Sequence, residues 1–220
     1  MVDGLQQTSF WSSPEELMSY EPDIFILMGA SDENYEKLVK IAPVIICPKD
    51  LHERITLLGE IFNMEDKAAE LLQEYEDDLA KAKDTVAKLD FDGKTFSITQ
   101  DSEDSGATVR LFYNDNARGG NILYDDFGFE APQKFVDEYP DYMMDVSMEV
   151  LNQYIGDYII YIRNADDFNY YDSPIWTSLP AVQAGNVVEF EGDLFYHQDI
   201  ISTRNQLKLM TDALVSFAAK

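Results

Sequence analysis

From Met64 to Leu89 apolar residues recur at alternating steps of four and three. Ala68, Leu72, Tyr75, Leu79, Ala82, Val86 and Leu89 therefore share one face of a helix of about seven turns. Asn63 is the expected N-cap, with Asp66 completing a capping box. A shorter helix leads into it: Asp50 to Glu53 (DLHE) is a second capping signal, and Leu51, Ile55, Leu58 and Phe62 follow at helical spacing. Taken alone, the long pattern is an ordinary surface helix of an α/β domain.

Upstream, residues 1–12 show no periodicity. Ser13 then caps a short helix with Pro14 at its first position, and Pro22-Asp23 turns the chain into a strand from Ile24 to Met28. A second helix-strand unit follows, over Glu33 to Val39 and Pro43 to Cys47. Beyond the long helix, Asp92-Gly93 is a turn, Phe96 to Gln100 a strand, and Ala107 to Tyr113 an alternating strand whose mixed faces suggest that one side is not plain core. Helices are expected near Asn121 to Phe127 and within EAPQKFVDEYP, and an amphipathic helix over Ser202 to Ala218 closes the chain. Helices alternating with buried strands give an α/β fold with mainly parallel sheets.

Composition narrows the partners. The 220 residues are 45% hydrophobic, ample for one large or two small cores, and 42 acids against 16 bases give a formal charge of -26. Such a charge repels nucleic acid and anionic membrane surfaces. The acids are spread along the chain, as on a solvated surface. Of five arginines, Arg110 and Arg118 lie close together. The single cysteine, Cys47, sits in the apolar run PVIIC as a buried structural thiol, and no signal peptide or membrane-spanning run is present.

Residues 13–26 and 147–160 match at fixed spacing: Ser13 with Ser147, Glu15 with Glu149, Leu17 with Leu151, Tyr20 with Tyr154, Asp23 with Asp157 and Ile26 with Ile160. Two related lobes joined by a helix account for this, although helix-strand units also look alike by chance. The lobe boundaries are then 1–48 for the first, 49–90 for the helical linker and 91–220 for the second. The second half has a long segment from about Lys94 to Asp145 before its copy of the repeat, against 12 residues in the first half. The N-terminal lobe is therefore expected to be truncated and to expose a sheet edge, and so either to pair with another chain, as in self-association, or to be weakly ordered.

SPEELMSYEPDIFIL, the long helix, NARGGNILYDDFGFEAP, SMEVLNQYIGDYIIYI and WTSLPAVQAGNVVEFEGDLFYHQD together resemble the helix-linked (class III) substrate-binding proteins of ABC importers, which capture ferric siderophores, haem and vitamin B12. NARGGNILY and FYHQD resemble in particular the ferrichrome and iron-hydroxamate type. The resemblance implies a non-enzymatic protein with no resident cofactor, which binds an Fe(III)-siderophore complex in the cleft between its lobes and delivers it to a membrane permease. It also implies an extracytoplasmic location, as a periplasmic protein or cell-surface lipoprotein.

Oxygen-rich metal chelates suit arginine donors and tyrosine hydroxyls. The ligand-binding residues the resemblance implies are Arg110, Tyr113, Arg118, Trp176, Tyr196 and His197; the plain alternatives are surface salt bridges for the arginines and a core anchor for Trp176. Glu15 and Glu149, at matching repeat positions, are implied to dock on the permease, or else they answer the helix dipole. Haem or cobalamin are other cargoes of the same family. A chelatase-like enzyme is the rival from a different class, and the chain offers it no nucleophile motif, no phosphate loop and only two histidines, His52 and His197.

Overall fold

The computed structural model describes residues 12–102, 107–114, 118–139, 143–163 and 173–219. The irregular lead-in and most of the tyrosine-rich loop FNYYDSP lie outside the described residues. The chain divides into two compact units, one ending at Ala68 and the other running from Ala69.

The first unit contains α1 (Pro14–Ser19), β1 (Phe25–Leu27), α2 (Asp32–Leu38), β2 (Val44–Ile46) and α3 (Leu51–Phe62), followed by the start of α4 (Glu65–Val86). Two of the three expected caps are made, the side chains of Ser13 and Asp50 accepting from the backbone N–H of Glu16 and Glu53, and Ser31, which was not among them, caps α2 by accepting from the N–H of Asn34. β1 and β2 pair in parallel, Ile26 opposite Ile45. No residue of this sheet is fully buried, and Met28 and Ile46 are exposed, whereas Cys47 beside it is buried. Arg54 is buried too, donating to the carbonyls of Pro48 and Lys49 and so fixing the entry to α3.

Asn63 does not cap the long helix; it ends α3. Its backbone is left-handed (φ 52°), with its N–H donating to the Glu60 carbonyl and that of Met64 to the Gly59 carbonyl. This is the terminating geometry a left-handed residue allows, and asparagine tolerates it better than branched residues do. α4 starts immediately afterwards. A Cβ on Gly59 would stand 2.7 Å from the Ala68 Cβ, so glycine lets the two helices meet closely at this corner.

The second unit is built on a five-stranded sheet of order β5-β4-β3-β6-β7, formed by β3 (Phe96–Asp101), β4 (Thr108–Phe112), β5 (Met144–Ser147), β6 (Tyr158–Arg163) and β7 (Val187–Glu191). β3, β6 and β7 are mutually parallel, as expected, whereas β4 pairs antiparallel with both β3 and β5. The sheet is therefore mixed. β5 lacks a sequence signal because it is only four residues long and buries just Val146 completely.

The register places Ile98, Gln100, Arg110, Phe112, Ile160 and Ile162 on one face of this sheet. Phe217 of α9 (Ile200–Ala218) packs there on Tyr158, and Phe195 of α8 (Gly192–Tyr196) stacks on Phe190. Tyr161, on the other face, meets Trp176 of α6 (Pro174–Ser178). α4 buries Tyr75, Ala82 and Val86 from the predicted stripe, and Arg204 of α9 pairs with Glu74 and Asp78 on it.

The helix expected near Asn121 is a π-helix, Asn121–Asp126, and the helix of the second repeat copy is a 3-10 helix, Met148–Gln153. Local geometry still agrees between the copies. Ser13 and Ser147 are both N-caps, Tyr20 and Tyr154 are both C-caps whose N–H bonds Leu17 and Leu151, and Ile26 and Ile160 both lie within parallel strands.

Candidate functional site

The site is organised by Arg118. The strand β4 delivers Phe112 and Tyr113, and the chain returns at Arg118-Gly119-Gly120 to enter the π-helix. Arg118 and Gly119 both have left-handed backbone, φ 55° and 81°. For arginine this conformation is uncommon, and it is sustained only where the surroundings enforce it. The two glycines supply that enforcement. A Cβ on Gly119 would meet Phe195 at 3.0 Å and Met210 at 3.1 Å, while one on Gly120 would stand 1.6 Å from the Tyr113 carbonyl oxygen. Only glycine lets the loop lie this close to β4. π-helical turns are rare and recur at functional sites, and here one follows directly on the loop that carries the arginine.

The Arg118 guanidinium carbon lies 5.2 Å from the ring centre of Phe112 and 4.7 Å from that of Tyr196. Each cation–ring contact stabilises by about 0.5–2 kcal/mol, depending on how far it is desolvated. Its Nε donates to the side-chain oxygen of Gln100, a residue buried at the carboxyl end of β3. Carboxyl ends of parallel strands are where α/β sheets receive ligands. Tyr196 is 59% exposed and meets the His197 ring edge-on, with ring centres 5.7 Å apart. The His197 carbonyl and that of Leu194 accept from the buried Gln206 amide, which holds the end of α8 against α9. The arrangement offers a fixed cation and an exposed phenol ring to an oxygen-rich surface.

The remaining candidates separate from this group. Arg110 is on the same sheet face as Gln100, directly opposite it, and is clamped by Asp145 across β4 and β5 at 2.8 and 2.9 Å. Tyr113 belongs to an aromatic cluster with Tyr124, Phe135 and Tyr139, ring centres 4.8 to 5.9 Å away. Burial pushes the Tyr124 phenol of that cluster far up, although its hydroxyl donates to the Phe96 carbonyl. Trp176 is fully buried beside Tyr161 and presents no surface to a ligand in this structure, for which the core-anchor alternative accounts. Glu15 and Glu149 are both exposed in the first turns of their helices.

The sequence points to Arg118 and Tyr196 but not to Phe112 and Gln100. The signal for Phe112 was the alternation of Ala107 to Tyr113, and that for Gln100 was a polar side chain ending an otherwise buried strand. Two cavities of the second unit lie elsewhere. One of about 490 Å3 is lined by α4 and α9, and one of about 770 Å3 by the end of α4 with residues 126–130; neither includes Arg118, Phe112 or Tyr196. Among the described residues no three His, Cys, Asp or Glu side chains are grouped to hold a metal ion.

Known proteins are similar to this chain in sequence and fold. The family profile described as "Periplasmic binding protein" matches residues 3–194. The chain is 33% identical to the iron(3+)-hydroxamate-binding protein FhuD of Bacillus subtilis (strain 168), covering 97% of this chain and 69% of that protein. It is 29% identical to the iron(3+)-hydroxamate-binding protein YxeB of the same organism, over 94% of this chain and 67% of that protein. A solved structure from Bacillus subtilis, of the FhuD fold-family binding component of a Fep/Fec-like ferrichrome ABC transporter, superposes with a TM-score of 0.73 at 29% identity, over 96% of this chain and 82% of that one. With the α/β architecture of both units and these matches across nearly its whole length, this chain belongs to the periplasmic binding protein family, whose members bind and carry rather than catalyse.

Proposed function

We propose that this protein is the substrate-binding component of an iron-siderophore ABC importer, capturing a ferric siderophore and handing it to a membrane permease. The observation that carries the reading is Arg118, fixed by two glycines and laid against Phe112 and Tyr196. A ferric siderophore presents six iron-bound oxygens of partial or full negative charge on a bulky, partly apolar frame. A guanidinium donates to such oxygens with charge-assisted hydrogen bonds, and a tyrosine ring covers the frame. The names of the two Bacillus relatives, both iron(3+)-hydroxamate-binding proteins, support a hydroxamate cargo.

In this reading Arg118 and Tyr196 are the cargo contacts, with His197 beside them, and the linker 49–90 joins the lobes 1–48 and 91–220. The protein works outside the cytoplasm, free or held by a lipid anchor. Self-association through the β1–β2 sheet belongs to the same reading, supported by the exposure of Met28 and Ile46, and sedimentation velocity tests it. The decisive experiment is a fluorescence-quenching titration with ferrichrome, ferrioxamine B and a ferric tris-catecholate, each with its iron-free form as control. Saturable quenching by at least one ferric complex, weakened by Arg118→Ala and Tyr196→Ala, is expected. Flat titrations across the panel overturn the proposal.

A further inference from the structure

Gln100 lies 2% exposed at the carboxyl end of β3, a strand in which all six residues are buried. A buried amide costs free energy unless its polar atoms are hydrogen-bonded, and its oxygen accepts from the Arg118 Nε. The bond engages one edge of the guanidinium, while Phe112 and Tyr196 engage its ring-facing surfaces. Arginine side chains have several soft torsions, so rings alone leave the guanidinium free to turn about their normals. A directional bond to Nε removes that rotation.

The position of Gln100 also bears on charge. It stands directly opposite Arg110 of β4, on the same sheet face, so two guanidinium-bearing residues flank it. The Arg110 guanidinium is directed instead to Asp145, one strand further out. The acceptor that Gln100 supplies to the Arg118 Nε is an amide oxygen, which adds no formal charge.

We infer that Gln100 is the positioning residue for Arg118: its amide oxygen accepts from Nε and so sets the orientation in which the guanidinium is presented to the cargo. This rests on the reading of Arg118 as a cargo contact. Gln100 itself touches no cargo in this scheme and acts only through the arginine.

The test uses the whole chain and ferrichrome, a ferric trishydroxamate, as the probe. Affinity is measured for the wild type, Arg118→Ala, Gln100→Met and the double variant, with Gln100→Glu as a version that retains the acceptor. Gln100→Met is expected to weaken binding about tenfold, the loss of one oriented charge-assisted contact, and to add nothing in the Arg118→Ala background. Gln100→Glu should recover most of the loss. A second readout does not depend on cargo: the 15N–1H signal of the Arg118 Nε, assigned through Arg118→Lys, should exchange slowly in the wild type and rapidly in Gln100→Met.

Unchanged affinity in Arg118→Ala overturns the cargo-contact reading and this inference with it. Weakened binding in Arg118→Ala with no effect of Gln100→Met overturns the inference alone. An equal further loss in the double variant does the same, because Gln100 would then act independently of the arginine. Should Gln100→Met fail to fold, the Nε signal of Gln100→Glu decides: loss of its slow exchange, although an acceptor is still present, also counts against the inference.

Discussion

Arg110 and Asp145 face each other across β4 and β5, and the guanidinium grips both carboxylate oxygens, Nε to Oδ1 at 2.8 Å and Nη2 to Oδ2 at 2.9 Å. The pair satisfies the arginine within the sheet, whereas Arg118, eight residues on, reaches the group that includes an exposed tyrosine. Arg110→Ala should therefore cost stability, about 1 kcal/mol as for a well-oriented surface pair, and leave ferric-siderophore affinity within about twofold. Urea unfolding and the quenching titration measure the two effects separately. A large loss of affinity at unchanged stability would show that the pair opens toward the cargo.

Glycine at 120 and glycine at 128 do different work. Gly120 has no room, with a Cβ placed 1.6 Å from the Tyr113 oxygen, whereas Gly128 is left-handed at φ 74° with nothing within 4 Å. Gly120→Ala forces the backbone of the Arg118 loop away from β4 and should cost about 3 kcal/mol or more, as severe overpacking does. Gly128→Ala pays only for its backbone angle, about 1 kcal/mol. Denaturant midpoints for the two variants check the ranking, and equal effects would contradict it.

Asn63 makes a matching prediction in the first unit. Its left-handed backbone closes α3, so Asn63→Gly should hold or raise stability by up to about 1 kcal/mol, and Asn63→Val should lower it by about 1–2 kcal/mol. Were Asn63 the N-cap of α4, glycine there would cost only a few tenths of a kcal/mol and valine would act through a lost side-chain acceptor. A stabilising glycine separates the two geometries.

Acid stability follows from Asp157. Burial pushes its carboxyl up, but hydrogen bonds from the Thr95 backbone N–H and hydroxyl, together with Lys94 at 3.6 Å, outweigh this and hold it below the ordinary aspartate range. A carboxyl lowered in the folded state contributes stability that is complete above its unfolded value, about pH 3.9, and is lost as pH falls through the folded value. Asp157→Asn should thus be less stable at neutral pH and show a flatter decline below about pH 4. Chemical unfolding from pH 2 to pH 7 measures both slopes.

Much of this fold could be read from the chain because its signals are local. Caps at Ser13 and Asp50, the stripe on α4 and the apolar strands each arise from short-range pattern, and each is found within a residue or two. What escaped depends on partners distant in sequence. The direction of β4 is set by pairing with β3 and β5, Asn63 reads equally well as a start or a stop, and the burial of Trp176 is decided by Tyr161 across the unit. The site divides the same way. Arg118 and Tyr196 were visible as chemistry in loops, but the pairing of Arg110 with Asp145 and the bond from Arg118 to Gln100 exist only once the sheet is assembled.

The two repeat copies place Glu15 and Glu149 at equivalent positions, two residues after a capping serine and exposed in the first turn of a short helix. If their only role were to complement the helix dipole, reversing each charge would cost about 0.3–1 kcal/mol and change nothing in transport. Docking on a basic permease surface predicts otherwise. Glu15→Lys with Glu149→Lys should reduce siderophore uptake to background while the isolated protein binds its ferric cargo with wild-type affinity, because the cargo contacts assigned here are Arg118 and Tyr196. Glu15→Gln with Glu149→Gln, which removes charge without reversing it, should give an intermediate rate and a weaker salt dependence. Uptake in cells and affinity in solution must be measured on the same variants: a parallel fall in both would assign these glutamates to folding or cargo binding and remove the docking role.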